Sequence, residues 1–442
     1  MHNGAGSDCH NRKTQMTRPT RRFFSLTSLA AFTVFIGAAC GGASDSTEAD
    51  TAPDSEPLAR DIHERALTVD THDDIPLDFA TDAVDPLNAD RQVTIEKMRA
   101  GGLDVAFFVV YMGQTERTPE NYEQAKAQAM TKFDAIHRMA DEMYPDHIEV
   151  AYTAGDVERI VGAGKLVAAI GIENGYAIGQ DLSLLARYHE LGARYITLAH
   201  NGNNDIADSA QPREDLGDVP WEHGGVSAFG EEVIAEMNRL GIMVDVSHIS
   251  KEAALDAMRL SRAPVMASHS STRALADHPR NMDDETLLAL KENGGVIQTV
   301  AFDSYVKVRP EFNEAREALW AEMGIDGFGA LQALSDEERA AYDARIAELN
   351  EQYPPATVPE FVDHIDHAVS VMGIDHVGIS SDFDGGGGVV GWSDAAETFN
   401  VTAELVRRGY SGDDIALLWG GNTLRVWREA ERVAAEMQAG DT

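Results

Sequence analysis

From Leu58 onward, short apolar runs alternate with longer stretches in which apolar residues recur every three or four positions. The short runs are LTVDTH (67–72), DVAFFVVY (104–111), LVAAIGI (166–172), RYITLA (194–199), IMVDVS (242–247), PVMAS (264–268), GVIQTV (295–300) and HVGISS (376–381). Many are rich in the β-branched and aromatic residues that pleated strands favour. IEVAYT (148–153) reads as a short extra strand. Between the runs lie amphipathic stretches such as YEQAKAQAMTKFDAIHRMADEM (122–143) and FGEEVIAEMNRLG (229–241), which read as helices. About eight strand–helix units in succession predict an α/β fold, a (β/α)8 TIM barrel, with a doubly wound α/β sheet as the structural alternative. Residues 308–357 are acidic and helical in pattern and read as an insertion over one face of the barrel.

Ligand-type side chains recur where these strands end. Side chains two apart on a strand share a face, so His72 and Asp74 aim at one spot. Glu173 follows LVAAIGI, His200 follows RYITLA, and His248 follows IMVDVS. His269 follows PVMAS, and Asp382 and Asp384 follow HVGISS. Any one of these histidines alone reads as a satisfied core residue. In a parallel barrel, however, the C-terminal strand ends gather at one rim, where active sites of this fold sit. Imidazoles and carboxylates without thiolates suit a borderline divalent metal such as zinc. There are more donors than one tetrahedral ion takes. Two ions sharing a carboxylate and a bridging hydroxide would use them all, which predicts metal-assisted hydrolysis.

A net charge of -38 excludes nucleic acid as a partner, because the phosphate contribution would be repulsive. It otherwise reads as a solvated acidic surface. The N-terminus reads as an export signal over residues 1–39. Arg12, Lys13, Arg18, Arg21 and Arg22 precede the apolar run FFSLTSLAAFTVFIGAA (23–39). TRRFF (20–24) resembles a twin-arginine signature, and GAAC (37–40) resembles a lipoprotein cleavage site with Cys40 as the lipidated residue. Without residues 1–39 the chain is more acidic still, and Cys40 is its only cysteine, so no disulfide staples the domain. Residues 40–57 read as a flexible tether, 58–436 as the catalytic barrel and 437–442 as a tail. The expected location is outside the cytoplasm, periplasmic or membrane-anchored through Cys40.

Several longer motifs together resemble the membrane dipeptidase family (renal dipeptidase, peptidase family M19). They are DTHDDIP (70–76), GIENG (171–175), TLAHN (197–201), VDVSH (244–248), PVMASHSS (264–271), RNMDD (280–284), SDFDG (381–385) and GGNTLRV (420–426). The resemblance implies a barrel of the metal-dependent hydrolase type with two zinc ions per subunit. His72 and Asp74 would bind one ion, His248 and His269 the other, and Glu173 would bridge them. His200 would polarise the substrate. Arg280 would grip its terminal carboxylate, a task for which family spacing favours it over Arg273. Asp382 would act as acid and base, with Asp384 a supporting or loop residue. The implied partner is a small dipeptide, whose C-terminal residue family members often accept in the D form, and a homodimer is among the expectations. The insertion has no counterpart in the family pattern.

Three other motifs read otherwise. HIDH (364–367) lies in an amphipathic stretch and reads as a solvated helix face. GGGG (385–388) lacks the lysine of a phosphate loop and reads as room for the chain to turn beside Asp382. Ser270 and Ser271 show no nucleophile elbow. The competing functions are another metal-dependent amidohydrolase, acting on a β-lactam, a lactone or an N-acyl amino acid, and a non-catalytic ligand-binding lipoprotein.

Overall fold

Side-chain parity along two strands decides what fills the centre of the molecule. In Val105–Tyr111, Val105 and Phe107 belong to one buried apolar cluster, while Ala106, Phe108 and Val110 belong to another. In Leu166–Glu173, Val167 and Ala169 join the first cluster, and Ala168, Ile170 and Ile172 the second. The first cluster is the barrel interior and the second is the layer between the strands and the surrounding helices. Burying each large apolar side chain in either stabilises the fold by roughly 1.5–3 kcal/mol relative to exposure.

The computed structural model describes residues 55–440 except 326, 328, 329, 332 and 333. The segment read as an export signal, Cys40 and the tether up to residue 54 lie outside the described residues. The strands are β1 (Val69–Asp74), β2 (Val105–Tyr111), β3 (Ile148–Val150), β4 (Leu166–Glu173), β5 (Ala193–Thr197), β6 (Met243–Asp245), β7 (Met266–Ser270), β8 (Val296–Val300) and β9 (Val377–Ser380). All pair in parallel, in the order β1-β2-β4-β5-β6-β7-β8-β9, and β3 pairs with the start of β4 alone. The ring nearly closes, because Asp73 bridges to Phe383 and the Asp74 N–H donates to the Phe383 carbonyl at 2.9 Å. This is the expected eight-stranded barrel, with β3 as the extra strand.

The helices stop and start where their caps dictate. Ser227 caps the helix Ala228–Leu240 by accepting from the Gly230 N–H, and Gly241 ends it at φ 81°. The helix expected over 122–143 begins earlier, at Pro119 behind the Thr118 cap, and passes at Arg138 into a π-helical turn ending at Met143. The last helix, Asn422–Gly440, sends Leu424, Val426 and Trp427 into the interior cluster beside Val69, Val105 and Val296. Since those residues begin their strands, this helix plugs the end of the barrel opposite the strand termini.

The insertion leaves the C-terminal end of β8. A short helix (Asp303–Val306) leads to helices Pro310–Met323 and Asp336–Gln352. These two share a small core of their own in which Leu319, Ile325 and Tyr342 are buried. The insertion therefore rises from the rim that carries the strand-end ligands.

Candidate metal centre and active site

Parity carries Glu173 into the barrel, since Val167, Ala169 and Gly171 precede it at two-residue steps. Its Oε1 lies 2.9 Å from His248 Nε2, 3.3 Å from His269 Nε2 and 3.7 Å from His200 Nε2. Its Oε2 lies 3.5 Å from His72 Nε2. His72 Nε2 is in turn 3.9 Å from Asp74 Oδ2, and Asp382 joins this pair with ligand atoms all within 4.8 Å of one another. The donors converge in three groups: His72, Glu173 and His269; Glu173, His200 and His248; and His72, Asp74 and Asp382. Every ligand-type residue expected at a strand end is thus brought together except Asp384. Glu173 stands at the centre.

The neighbours of three imidazoles fix which nitrogen faces inward. The Tyr195 hydroxyl donates to the Thr71 carbonyl at 3.0 Å, so toward His72 Nδ1, also at 3.0 Å, it acts as acceptor. Ser268 Oγ donates to Asp245 Oδ2 at 2.6 Å and so accepts from His269 Nδ1 at 2.8 Å. His248 Nδ1 donates to Asn201 Oδ1 at 3.2 Å. All three rings therefore carry their proton on Nδ1 and turn an Nε2 lone pair inward, the arrangement that orients metal-ligating histidines. His72 Nε2 and Asp74 Oδ1 are buried without a hydrogen-bond partner. His248 Nε2 and His269 Nε2 meet at 2.8 Å, lone pair to lone pair. Only a positive charge between them makes that contact stable.

A proton is not that charge. Burial, Arg280 and His200 hold His248 well below the ordinary imidazole range. Burial and His72 do the same to His269, and burial takes His200 down to about 4. His72 differs. Burial would lower it, but Glu173, Asp382 and Asp74 outweigh burial and push it up to about 10. Burial alone would raise Glu173, yet the surrounding imidazoles hold its carboxyl well below the usual range. Burial and repulsion from Asp74 and Glu173 raise Asp382 well above it, and burial with Glu173 raises Asp74 to about 6. Converging donors, three carboxylates, three histidines kept neutral and a fourth drawn toward positive charge by those carboxylates fit divalent cations. The donor set is that of a metal centre.

Backbone strain marks the same place. Asn174, His248, Asp382 and Asp384 hold φ between 60° and 82° without being glycine, a costly conformation that persists where the surroundings enforce it. Gly385 fits beside them because a Cβ there would lie 2.3 Å from both Asp382 Oδ1 and Asp74 Oδ2. Gly387 is equally constrained, a Cβ falling 1.9 Å from the Ser381 carbonyl. The glycine run thus gives the turn its room, as its composition suggested.

Other expected residues take their places around this centre. Arg280 is buried, donates from Nη2 to the His269 carbonyl at 3.0 Å, and holds its guanidinium 5.3 Å from the Tyr305 ring centroid. Its Nε has no partner. Arg273 instead pairs with Asp277 at 2.8 Å on the surface. Asp384 accepts from the N–H groups of Gln92 and Val93 and pairs with Arg91 at 3.1 Å, which makes it a loop fastener. The HIDH motif departs from its expected solvated face. His364 is buried, bonded to Thr272 and to the Val306 carbonyl, while His367 pairs with Asp284 at 2.7 Å. The helix Val358–Met372 packs on the barrel by the face that holds His364, so that ring is a satisfied core histidine.

Sequence reasoning missed the residues that orient the ligands: Tyr195, Asn201, Asp245 and Ser268. Asp245 and Ser268 lie inside the motifs VDVSH and PVMASHSS, so a signal existed. Tyr195 had none, because nothing local connects β5 to His72. Only Gly171 hints at it, since a Cβ there would lie 2.0 Å from the Tyr195 ring.

The comparisons with known proteins agree with this geometry. The family model for membrane dipeptidase (peptidase family M19) matches residues 57–441. Dipeptidase aclJ of Aspergillus oryzae is 34% identical over 353 residues, 78% of this chain and 72% of its own length. Dipeptidase tcpJ of Claviceps purpurea is 32% identical over 351 residues, 78% of this chain and 71% of its own. The crystal structure of the probable dipeptidase PvdM from Pseudomonas aeruginosa superposes with TM-score 0.76 at 36% identity, covering 86% of this chain and 99% of that one. On a match spanning nearly all the described residues, and on relatives at this identity, the chain belongs to the membrane dipeptidase family of metallopeptidases.

Proposed function

We propose that this family member is an exported dipeptidase that uses two zinc ions, His72 and Asp74 holding one, His248 and His269 the other, with Glu173 between them. The convergence of His72, His248 and His269 on the two oxygens of Glu173 is the observation that supports the reading most directly. When bound, such an ion pair supplies an activated water and a polarised amide carbonyl. The chain's own residues do the rest.

Arg280 binds the substrate's terminal carboxylate. Its unpartnered Nε and planar fork leave it free for a two-point contact, and Tyr305 holds the plane in place. Neutral His200 donates to the oxygen that gains charge as the amide carbonyl becomes tetrahedral, a contact stronger in the transition state than before it. Asp382, which retains a proton more readily than an ordinary carboxyl, takes the proton from water and passes it to the leaving amine. Gripping the carboxylate beside the reacting centre favours a substrate with one peptide bond, and a D-residue at the C-terminal position belongs to the same reading. Export through the N-terminal segment, a lipid on Cys40 and a homodimeric assembly complete it.

The test is hydrolysis of L-Ala-D-Ala and Gly-D-Ala by the purified enzyme. Activity should vanish with a chelator and return with zinc, at two equivalents per chain. Turnover that persists after complete metal removal would overturn the reading.

A further inference from the structure

The way Arg280 is held has a counterpart outside the active site. Arg316, on the insertion helix Pro310–Met323, lies 5.8 Å from the Phe312 ring centroid and 5.5 Å from that of Trp320. Its Nε is buried and has no hydrogen-bond partner, as in Arg280. Among the described residues no carboxylate pairs with Arg316, although the chain carries 74 acidic residues against 36 basic ones. Its neighbours on the insertion show the contrast: Arg309 pairs with Asp303, and Arg345 with Glu322 at 3.3 Å. A buried donor left without an acceptor is a penalty that an arriving acceptor removes.

Arg316 lines a cavity of about 140 Å³ between the insertion and the chain that follows β8. That is room for several waters or for one small carboxylate. Lys307 and Arg309 also line it, but Glu360 at 2.8 Å and Asp303 already neutralise them. Arg316 is the surplus positive charge, with the Asn313 amide as a neutral donor beside it. His278 forms part of its wall. Its ring lies 4.6 Å from Tyr305, the ring on which Arg280 rests, and its Nδ1 accepts from the Arg280 backbone N–H at 3.2 Å. The cavity and the substrate-carboxylate arginine share that wall.

We propose that the cavity around Arg316 is a second carboxylate-binding site, taking an acidic group on the side chain of the substrate's C-terminal residue or the same group on a free dicarboxylate. The first source rests on the dipeptidase reading and the second does not. The experiment uses the metal-loaded full chain as wild type, R316Q and the charge-retaining R316K, with thermal melts showing that each is folded. Calorimetric titration with succinate measures binding, and kcat/KM for Ala-Glu over Ala-Gln measures selectivity. R316Q should weaken succinate by about tenfold or more, the worth of one charge-assisted contact, and R316K by less. If the Ala-Glu preference also collapses in R316Q, the side chain is the source; if succinate weakens and the preference stays, the source is the free acid. Identical succinate isotherms and identical selectivity in wild type and R316Q would overturn the proposal. If neither dipeptide is cleaved, the dipeptidase reading fails, while the succinate arm still decides the cavity.

Discussion

The Tyr195 hydroxyl stands between Thr71 and His72, donating to the carbonyl of one at 3.0 Å and accepting from the imidazole of the other at 3.0 Å. Because the hydroxyl has one proton, the gift to Thr71 dictates that His72 carries its own on Nδ1. The lone pair on Nε2 then faces Glu173. Tyr195→Phe removes this determinant and takes the hydroxyl away from the Thr71 carbonyl and from His72 Nδ1 in a fully buried site. Metal affinity should fall by roughly 10–100-fold, the usual cost of losing a partner that orients a ligand. Activity should recover at high zinc, which separates a positioning role from a catalytic one. Unchanged zinc affinity by competition titration would contradict the assignment.

Among the described residues, Glu173 is the one side chain that faces all four imidazoles. Glu173→Gln preserves its shape and removes its charge. Both metal positions should weaken together, with activity lost by on the order of a hundredfold or more at fixed zinc. Metal analysis after dialysis checks this. One retained equivalent would show that the two positions are independent.

Gly385→Ala tests the glycine run. A Cβ there collides with Asp382 and Asp74 at once, so the carboxylates proposed as acid/base and as metal ligand both move. A displacement of about 1 Å in a reacting group costs roughly a hundredfold. The loss should appear in kcat at saturating zinc, with the fold intact by circular dichroism.

The barrel was legible because short apolar runs alternate with stretches of helical period, and six of the strand ends carry a ligand-type side chain. His72, Glu173, His248 and His269 could be named without coordinates for that reason. Tyr195 and Asn201 could not be given roles, because each meets a histidine far away in the chain. His364 was misplaced for the opposite reason: on the helix Val358–Met372, periodicity does not say which neighbour covers a polar face. Strand boundaries moved for a physical cause as well. β1 was expected to end at His72 and runs on to Asp74, because pairing of Asp73 and Asp74 with Phe108 and Val109 continues past a register shift.

His278 supplies a pH dependence with a definite sign. Burial, Arg280 and Arg273 lower it from 6.5 to about 4. The unfolded chain therefore takes up a proton at this residue near pH 6.5, while the folded protein does not until about pH 4. Its contribution to stability is full above 6.5 and is lost as pH falls through that window. His278→Gln removes the term. The drop in melting temperature between pH 7.5 and pH 5 should be smaller in the variant than in the wild type. An equal drop in both would show that His278 titrates normally.

Arg280 decides between a dipeptidase and a hydrolase indifferent to the substrate's terminus. Its guanidinium is fixed by the His269 carbonyl and by Tyr305, so on the proposed reading a substrate carboxylate would meet a preorganised fork. Arg280→Ala should cut kcat/KM for L-Ala-D-Ala by about two orders of magnitude or more, since losing one partner of a buried charge pair costs roughly 2–5 kcal/mol. Arg280→Lys should recover little, because an ammonium cannot make the two-point contact. The same dipeptide with its C-terminus amidated should be a poor substrate for the wild type and should lose little further in either variant. An amide cleaved as well as the acid would place Arg280 outside substrate recognition and favour the competing amidohydrolase.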